Sequence, residues 1–387
     1  MPLPLAYNVR NVAVRWKASL LAVLGIALVV AVLIVLSAMS AGFRATLGAT
    51  GTDHNAIVTQ KGSQSELTSG ISLETAATLA VDARVARGPD GAVLASPEMV
   101  VVANLVRRVD GKPTNVLVRG VTPRVYDVRT GIRVVEGRRP DPGVPEMMVG
   151  RRIRDRVGGL DLGQTVDLQR RTWKIVGIFE SDGSGFESEI WGDADVMRQA
   201  FNRTGGWQSL TVRVLDPGAI PAWNDAIDRD PRYQAQVLPE RTYYADQAGP
   251  LGTLLLFLAG FVSTVMGIGA AFGAMNTMNG IIAARVREIG TLRALGFSRL
   301  AILVSFLVES ALLALVGGLL GVVLALPFNG IESAAGNQFS ELAFAFRITP
   351  GAIVAGVLFA VGMGVLGGLL PATRAARLPV VESLRDG

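Results

Sequence analysis

Four long apolar runs dominate the hydrophobic pattern of the chain, at roughly 18–39, 251–275, 301–326 and 351–370. Each reaches the about 20 residues that a helix needs to cross a hydrocarbon core. The first, second and fourth hold no charged residue, and the third holds only Glu309. A buried helix of a soluble protein rarely stays apolar on all sides for so long. The pattern therefore predicts four membrane spans. The first run has some marks of a signal peptide, with Arg10, Arg15 and Lys17 before it and Ser37, Ala38, Ser40 and Ala41 near its end. Its apolar core exceeds the about 7–15 residues usual for such a peptide, so it reads as an uncleaved anchor.

Between the first two runs the pattern changes to short alternating segments. Residues 56–60, 99–106, 114–120, 166–168, 174–179 and 210–215 are rich in Val and Ile and read as strands between turn residues. Segments 165–168 and 173–179, joined by 169–172, predict a hairpin. Helices are expected at 71–80, at 193–201 with Asp193 as N-cap, and at 220–228 with Pro221 in the first turn. Pro140, Pro142 and Pro145 with Gly143 read as a linker or subdomain seam. No internal repeat is found. The expected fold class is an α-helical membrane protein with four transmembrane helices and a large α+β extracytoplasmic domain between helices 1 and 2. The expected domains are 1–43, 44–250 and 251–387.

Composition agrees with lipid. Half of the 387 residues are hydrophobic and 18% are charged, against about 25% charge in soluble domains. With no Cys, disulfides, thiolate metal sites and cysteine nucleophiles are excluded. His54 is the only His, which weighs against a multi-His metal site. The formal charge of +5 looks at first like a nucleic-acid signal. Its distribution says otherwise. Segments 1–17, 276–300 and 371–387 hold ten Lys/Arg against three acids, while 40–250 holds 26 of each. Positive segments beside spans stay in the cytoplasm. Both termini and the 276–300 loop are thus expected inside, with 40–250 and the 327–350 loop outside. The basic charge is a topology signal, and no nucleic-acid partner is expected.

The outer segment carries little recognisable chemistry. Ser184 sits in a Gly-flanked turn without a G-x-S-x-G elbow. Glu187 and Glu189 would share a face on a strand, as acid–base or cation-binding pairs do, but read as a solvated loop. Arg151, Arg152, Arg154 and Arg156 read as a solvated helix face beside Asp155, with an anionic partner as the alternative. His54 reads as an interfacial residue.

The loop between spans two and three carries more. Ile281, Ile282, Val286, Ile289, Leu292 and Leu295 recur at helical spacing, with Arg285, Arg287, Glu288 and Arg299 elsewhere around the helix and Gly296 as C-cap. Such a helix over 281–299 suits a lipid surface or a docking site for a cytosolic partner. Glu309, roughly 13 Å into the third span by helical rise, faces protein or water. It is either a functional group or the partner of Arg15, Lys17 or a base of the 281–299 helix. Gly269/Gly273, Gly317/Gly321 and Gly364/Gly368 place small residues at the four-residue spacing that allows close helix contacts.

Arg285, Arg287, Glu288, Ile289, Gly290, Leu292, Arg293, Ala294, Leu295, Gly296 and Ser298, followed by Ile302, Phe306, Glu309, Leu313, Gly317, Gly318 and Gly321, match in order a pattern of one family. The chain resembles the FtsX-like permeases of ABC transporters, including the MacB and LolC/LolE types. The closing Pro371, Ala372, Ala375, Ala376, Pro379, Leu384 and Arg385 and the opening Tyr7-Asn8-Val9-Arg10-Asn11 are similar to these permeases too. Gly120, Glu136-Gly137-Arg138 and the 173–179 segment resemble the MacB-type periplasmic core more loosely.

The resemblance implies a permease subunit in a bacterial inner membrane, not itself an enzyme. Its coupling helix, with Arg285, Arg287, Glu288, Ile289, Leu292, Arg293, Ala294, Leu295 and Gly296, would dock on a cytosolic ABC ATPase. Two ATPases and two permeases, as copies or paralogues, would form the working unit, with a periplasmic adaptor as a further partner. No G-x-x-x-x-G-K-[ST] loop occurs in the chain. No cofactor is therefore expected here, and ATP and Mg would belong to the ATPase. The implied work is export, efflux or lipoprotein handling; the alternative is an FtsX-like regulator of cell-wall hydrolases, which the large outer domain argues against. A membrane-anchored ectoenzyme lacks a catalytic constellation.

Overall fold

The computed structural model describes residues 16–336 and 341–379. The expectations resting on Tyr7–Asn11, Arg15, Glu382, Leu384, Arg385 and Asp386 lie outside these residues. Helix α1 (Trp16–Gly48) leads to strand β1 (Asn55–Gln60), the short β2 (Ile71–Ser72) and α2 (Leu73–Ala80). Strands β3 (Ala95–Val106) and β4 (Pro113–Val121), the single turn α3 (Val125–Val128) and β5 (Arg133–Gly137) follow. Next come β6 (Glu146–Gly150), α4 (Arg151–Arg156), β7 (Thr165–Leu168), β8 (Arg171–Glu180), β9 (Glu189–Asp193) and α5 (Ala194–Ala200). Then β10 (Gly206–Trp207), β11 (Ser209–Arg213), α6 (Ile220–Asp228) and β12 (Ala235–Pro239) precede α7 (Glu240–Ala283). Helices α8 (Val286–Ala294) and α9 (Arg299–Ala325), strands β13 (Glu332–Gly336) and β14 (Glu341–Ala345), and α10 (Pro350–Arg377) close the described chain.

These elements form two compact units. One holds the chain up to Gly42, Leu251–Ile331 and Phe346 onward; the other holds Phe43–Pro250 and Glu332–Ala345.

The second unit is built on a ten-stranded mixed sheet, ordered β12-β1-β11-β3-β4-β9-β6-β8-β5, with β7 added to β8. Only the β4–β9 and β6–β8 pairs are parallel. One face buries Met99, Val118, Met147, Trp173 and Ile190, and a separate cluster gathers Val58, Leu210, Val212 and Trp223. Four details differ from the sequence reading. Ile71 is in a strand paired with Trp207, because the Ser72 side chain accepts from the Thr75 amide and starts the helix two residues later. The β7–β8 turn is two residues long: Gln169 and Arg170 both take positive φ, and Leu168 pairs with Arg171. The Pro140–Pro145 loop is no seam. It carries the chain across β8, between β5 and β6, within one sheet. The chain between spans three and four is a hairpin that joins this unit. Its Phe344 is fully buried, edge-on to Phe43 at 5.7 Å, and the Ala343 amide donates to Ser188.

The first unit contains most of the residues of four helices long and apolar enough to cross a membrane: α1, α7, α9 and α10. They outrun the apolar segments because capped polar ends continue the helical hydrogen bonding. Ser298 caps α9, and Thr349 caps α10 with Pro350 in its first turn. Small residues set the packing. A Cβ on Gly321 would lie 2.6 Å from the Ala27 carbonyl oxygen, and one on Gly317 would lie 2.9 Å from that of Val23. Gly364 and Gly368 meet Ala314 and Ser310 just as tightly. Helix α9 thus packs on α1 by one glycine face and on α10 by the other side. Gly269 and Gly273 of α7 have nothing within 4 Å of a built Cβ.

Candidate functional site

The segment after α7 is where sequence and structure diverge most. A single helix over 281–299 is expected, but the helix breaks at Ala284–Arg285, where Arg285 adopts φ −128. A new helix, α8, then runs only to Ala294. It ends in a Schellman closure: Phe297 N–H donates to Leu292 O at 3.2 Å and Gly296 N–H to Arg293 O at 3.1 Å. Gly296 takes φ +94, a conformation open to glycine.

The break brings Arg285 inward. Only 4% of its side chain is exposed, and its Nη1 donates to Glu309 Oε2 of α9 at 2.9 Å. Its Nε donates to Glu288 Oε2 at 2.9 Å, and its guanidinium lies 5.2 Å from the centre of the Phe306 ring. Glu309, itself 2% exposed, is therefore a buried, paired carboxylate. Around the pair, Met278, Ile282, Ile289, Ile302 and Phe306 form one apolar cluster with Ala372 and Ala375 of α10. Ile289 and Gly290 are buried, whereas Arg287, Ala294, Leu295 and Gly296 are exposed and Leu292 and Arg293 half-buried. The segment thus has an anchored face and a free face.

A second constellation, invisible to the sequence reading, lies inside the sheet unit. Arg119 of β4 is fully buried and donates to three carboxylates: Glu189 (Nε–Oε2, 2.7 Å), Glu66 (Nη1–Oε1, 2.7 Å) and Glu98 (Nη1–Oε2, 2.7 Å). Arg129 donates to Glu98 Oε1 at 2.7 Å, to Glu240 Oε1 at 2.6 Å and to Thr211. The Phe186 ring lies against both guanidiniums. Burial works to raise the Glu66 carboxyl, but the Arg119 charge and hydrogen bonds from Arg119 and Ser209 overcome it and hold the group at about 2. Glu98 moves the other way. Burial raises it, the Arg129 and Arg119 charges offset only part, and the negative Glu66 adds to the rise. Glu187 and Glu189 are not in a solvated loop: both are buried, Glu187 accepting from the Ser181 and Gly183 amides. The available signal was an ionisable residue inside an apolar strand, as Arg119 is between Val118 and Gly120. The Arg151–Arg156 run is a short helix whose bases are spoken for, Arg151 by Glu180, Arg152 by Glu187 and Glu332, and Arg154 by Glu136. Ser184 is buried and His54 exposed.

Two family descriptions match the chain: a MacB-like periplasmic core domain over residues 19–230 and an FtsX-like permease C-terminal region over 260–380. The chain belongs to the MacB/FtsX-like family of ABC transporter permeases. It is a multi-pass membrane protein with a periplasmic-type domain between its first two membrane helices. A similar permease from Bacillus subtilis, the uncharacterized YknZ, is 28% identical over 231 residues, 58% of this chain and 55% of that protein. An uncharacterized ABC transporter permease of Methanocaldococcus jannaschii is 27% identical over 232 residues, 58% of each chain. The macrolide export ATP-binding/permease protein MacB of Bordetella avium is 29% identical over 311 residues, covering 75% of this chain and 46% of that one. The chain thus spans about half the length of these relatives. The periplasmic region of MacB from Actinobacillus actinomycetemcomitans superposes with a TM-score of 0.36 at 14% identity, covering 50% of this chain and 92% of that one.

Proposed function

We propose that this MacB/FtsX-like permease couples ATP hydrolysis by a separate cytosolic ABC ATPase to conformational work of its periplasmic-type domain, for export or for handling of efflux or lipoprotein substrates. The observation that carries the reading is the anchored 284–296 segment. Arg285 ties the break between α7 and α8 to Glu309 within α9, while Arg287 and Arg293 remain on or near the free face. A push on that face reaches the packed helices through a buried, charge-assisted contact with little slack. The segment is the coupling helix in this reading, and it lies with both termini on the cytoplasmic side, where the positive charge concentrates. Two ATPases and a second permease, as copy or paralogue, complete the unit, and the outer domain recruits a periplasmic adaptor in the same reading. This chain binds no nucleotide; ATP and Mg are used by the ATPase.

Gentle detergent extraction of the tagged chain from its own host tests this. A soluble ABC ATPase that co-purifies, and whose hydrolysis rate changes when the permease is present, is expected. A chain that purifies alone under all conditions overturns the reading.

A further inference from the structure

The buried constellation of the sheet unit is unbalanced. Glu66, Glu98, Glu189 and Glu240 face Arg119 and Arg129, an excess of two negative charges with every one of these side chains buried. Burial of net charge is costly unless donors or protons compensate it.

The donors are distributed unevenly. Glu66 accepts from Arg119 twice, from Ser209 at 2.6 Å and from Tyr244 at 2.9 Å. Glu189 accepts from Arg119 twice and from Trp191 Nε1 at 2.7 Å. Glu240 accepts from Arg129, from the Thr52 amide and from Asn55 Nδ2. Glu98 has two side-chain donors only, one arginine on each oxygen. It is also the one carboxylate among the described residues that touches both arginines. Its neighbours from every packed element are thus Glu66, Arg119, Glu189, Arg129, Glu240 and Tyr244.

Position gives Glu98 its consequence. On the Arg119 side lie the sheet strands β3, β4 and β9. On the Arg129 side lies Glu240, the first residue of α7. We propose that Glu98 is a proton-operated joint: ionised, it ties the start of α7 to the sheet through Arg129, and protonated, it lets the Arg129–Glu240 pair separate from the Arg119 cluster. The proton comes from the medium and rests on a Glu98 oxygen, whose hydrogen bond from an arginine is lost. Glu66 and Glu189 stay ionised meanwhile, because each is covered by more donors, so the sheet remains folded while the joint opens. The proposal concerns the outer unit alone and does not depend on the ATPase reading.

Hydrogen–deuterium exchange on the full-length chain in detergent, followed from neutral to mildly acidic pH and corrected for intrinsic exchange, tests it. In the wild type, amides of 240–250 should exchange about tenfold faster on acidification, the size expected for losing one charge-assisted hydrogen bond, while β3 and β4 stay protected. E98Q, which mimics the protonated group, should exchange at the fast rate throughout and show no pH step. A wild type without a step in 240–250, or one in which β3 and β4 open together with it, overturns the proposal. So does a folded E98Q that keeps the step. The wild-type titration decides by itself if E98Q fails to fold.

Discussion

Arg285 Nη1 and Glu309 Oε2 lie 2.9 Å apart, with both side chains almost wholly buried although they stand 24 positions apart in sequence. The pair fastens a helix break to the interior of α9, and it orders the predictions for the membrane unit.

Removing one partner breaks a buried, charge-assisted contact. R285M or E309Q should each lower stability by about 3–5 kcal/mol, whereas the R285M/E309L double variant should recover most of the loss because neither charge of the pair remains. Thermal unfolding in detergent reads both, and equal losses in single and double variants would contradict the pairing.

Arg287 projects from the free face. R287E should weaken recovery of the ATPase by about tenfold, the scale of one interfacial charge pair, without changing thermal stability. Unaltered binding and unaltered ATPase stimulation would mean that this face lies on lipid.

Glycines of the membrane unit should divide by sign. G321A drives a Cβ against the Ala27 carbonyl and Val30, so about 1–3 kcal/mol should be lost despite alanine's better helix propensity. G273A meets open space within the chain and should gain up to about 1 kcal/mol. Unfolding curves of the two variants, compared with wild type, make the check.

Acid should act on the sheet unit through Glu66. Its carboxyl is held at about 2 in the folded state against an ordinary 4.5, so its contribution is present above 4.5 and disappears as pH falls toward 2. Glu98 has the opposite sign: raised when folded, its ionised form costs stability above 4.5, and acid relieves that cost. Unfolding of the sheet unit, read by the fluorescence of the full chain, which includes the buried Trp173 and Trp191, should therefore set in only below about 4.5. E66Q should flatten that final loss; a variant with the wild-type acid limb would remove Glu66 from the account.

The four membrane helices, the strand-rich insert between the first two and the membership of the family were legible because each rests on local pattern. An apolar run of sufficient length reports its own environment, and Asp193 and Pro221 mark helix starts within one turn. The break at Arg285 was not legible, since Ile281, Ile282, Val286 and Ile289 keep helical spacing across it and only the pull of Glu309 distinguishes Arg285 from its exposed neighbour Arg287. Nor could 332–345 be assigned: its strands are short, and the burial of Phe344 against Phe43 is decided by residues some three hundred positions away.

The kind of environment each segment occupies is thus set locally, because transfer of a side chain between water, lipid and protein core depends mainly on composition and period. Which charges meet was left to the tertiary structure. Arg119 and Arg129 gather Glu66, Glu98, Glu189 and Glu240 from four separate stretches of chain, and ionic contacts form wherever folding brings donors and acceptors within about 3 Å, irrespective of their spacing in sequence.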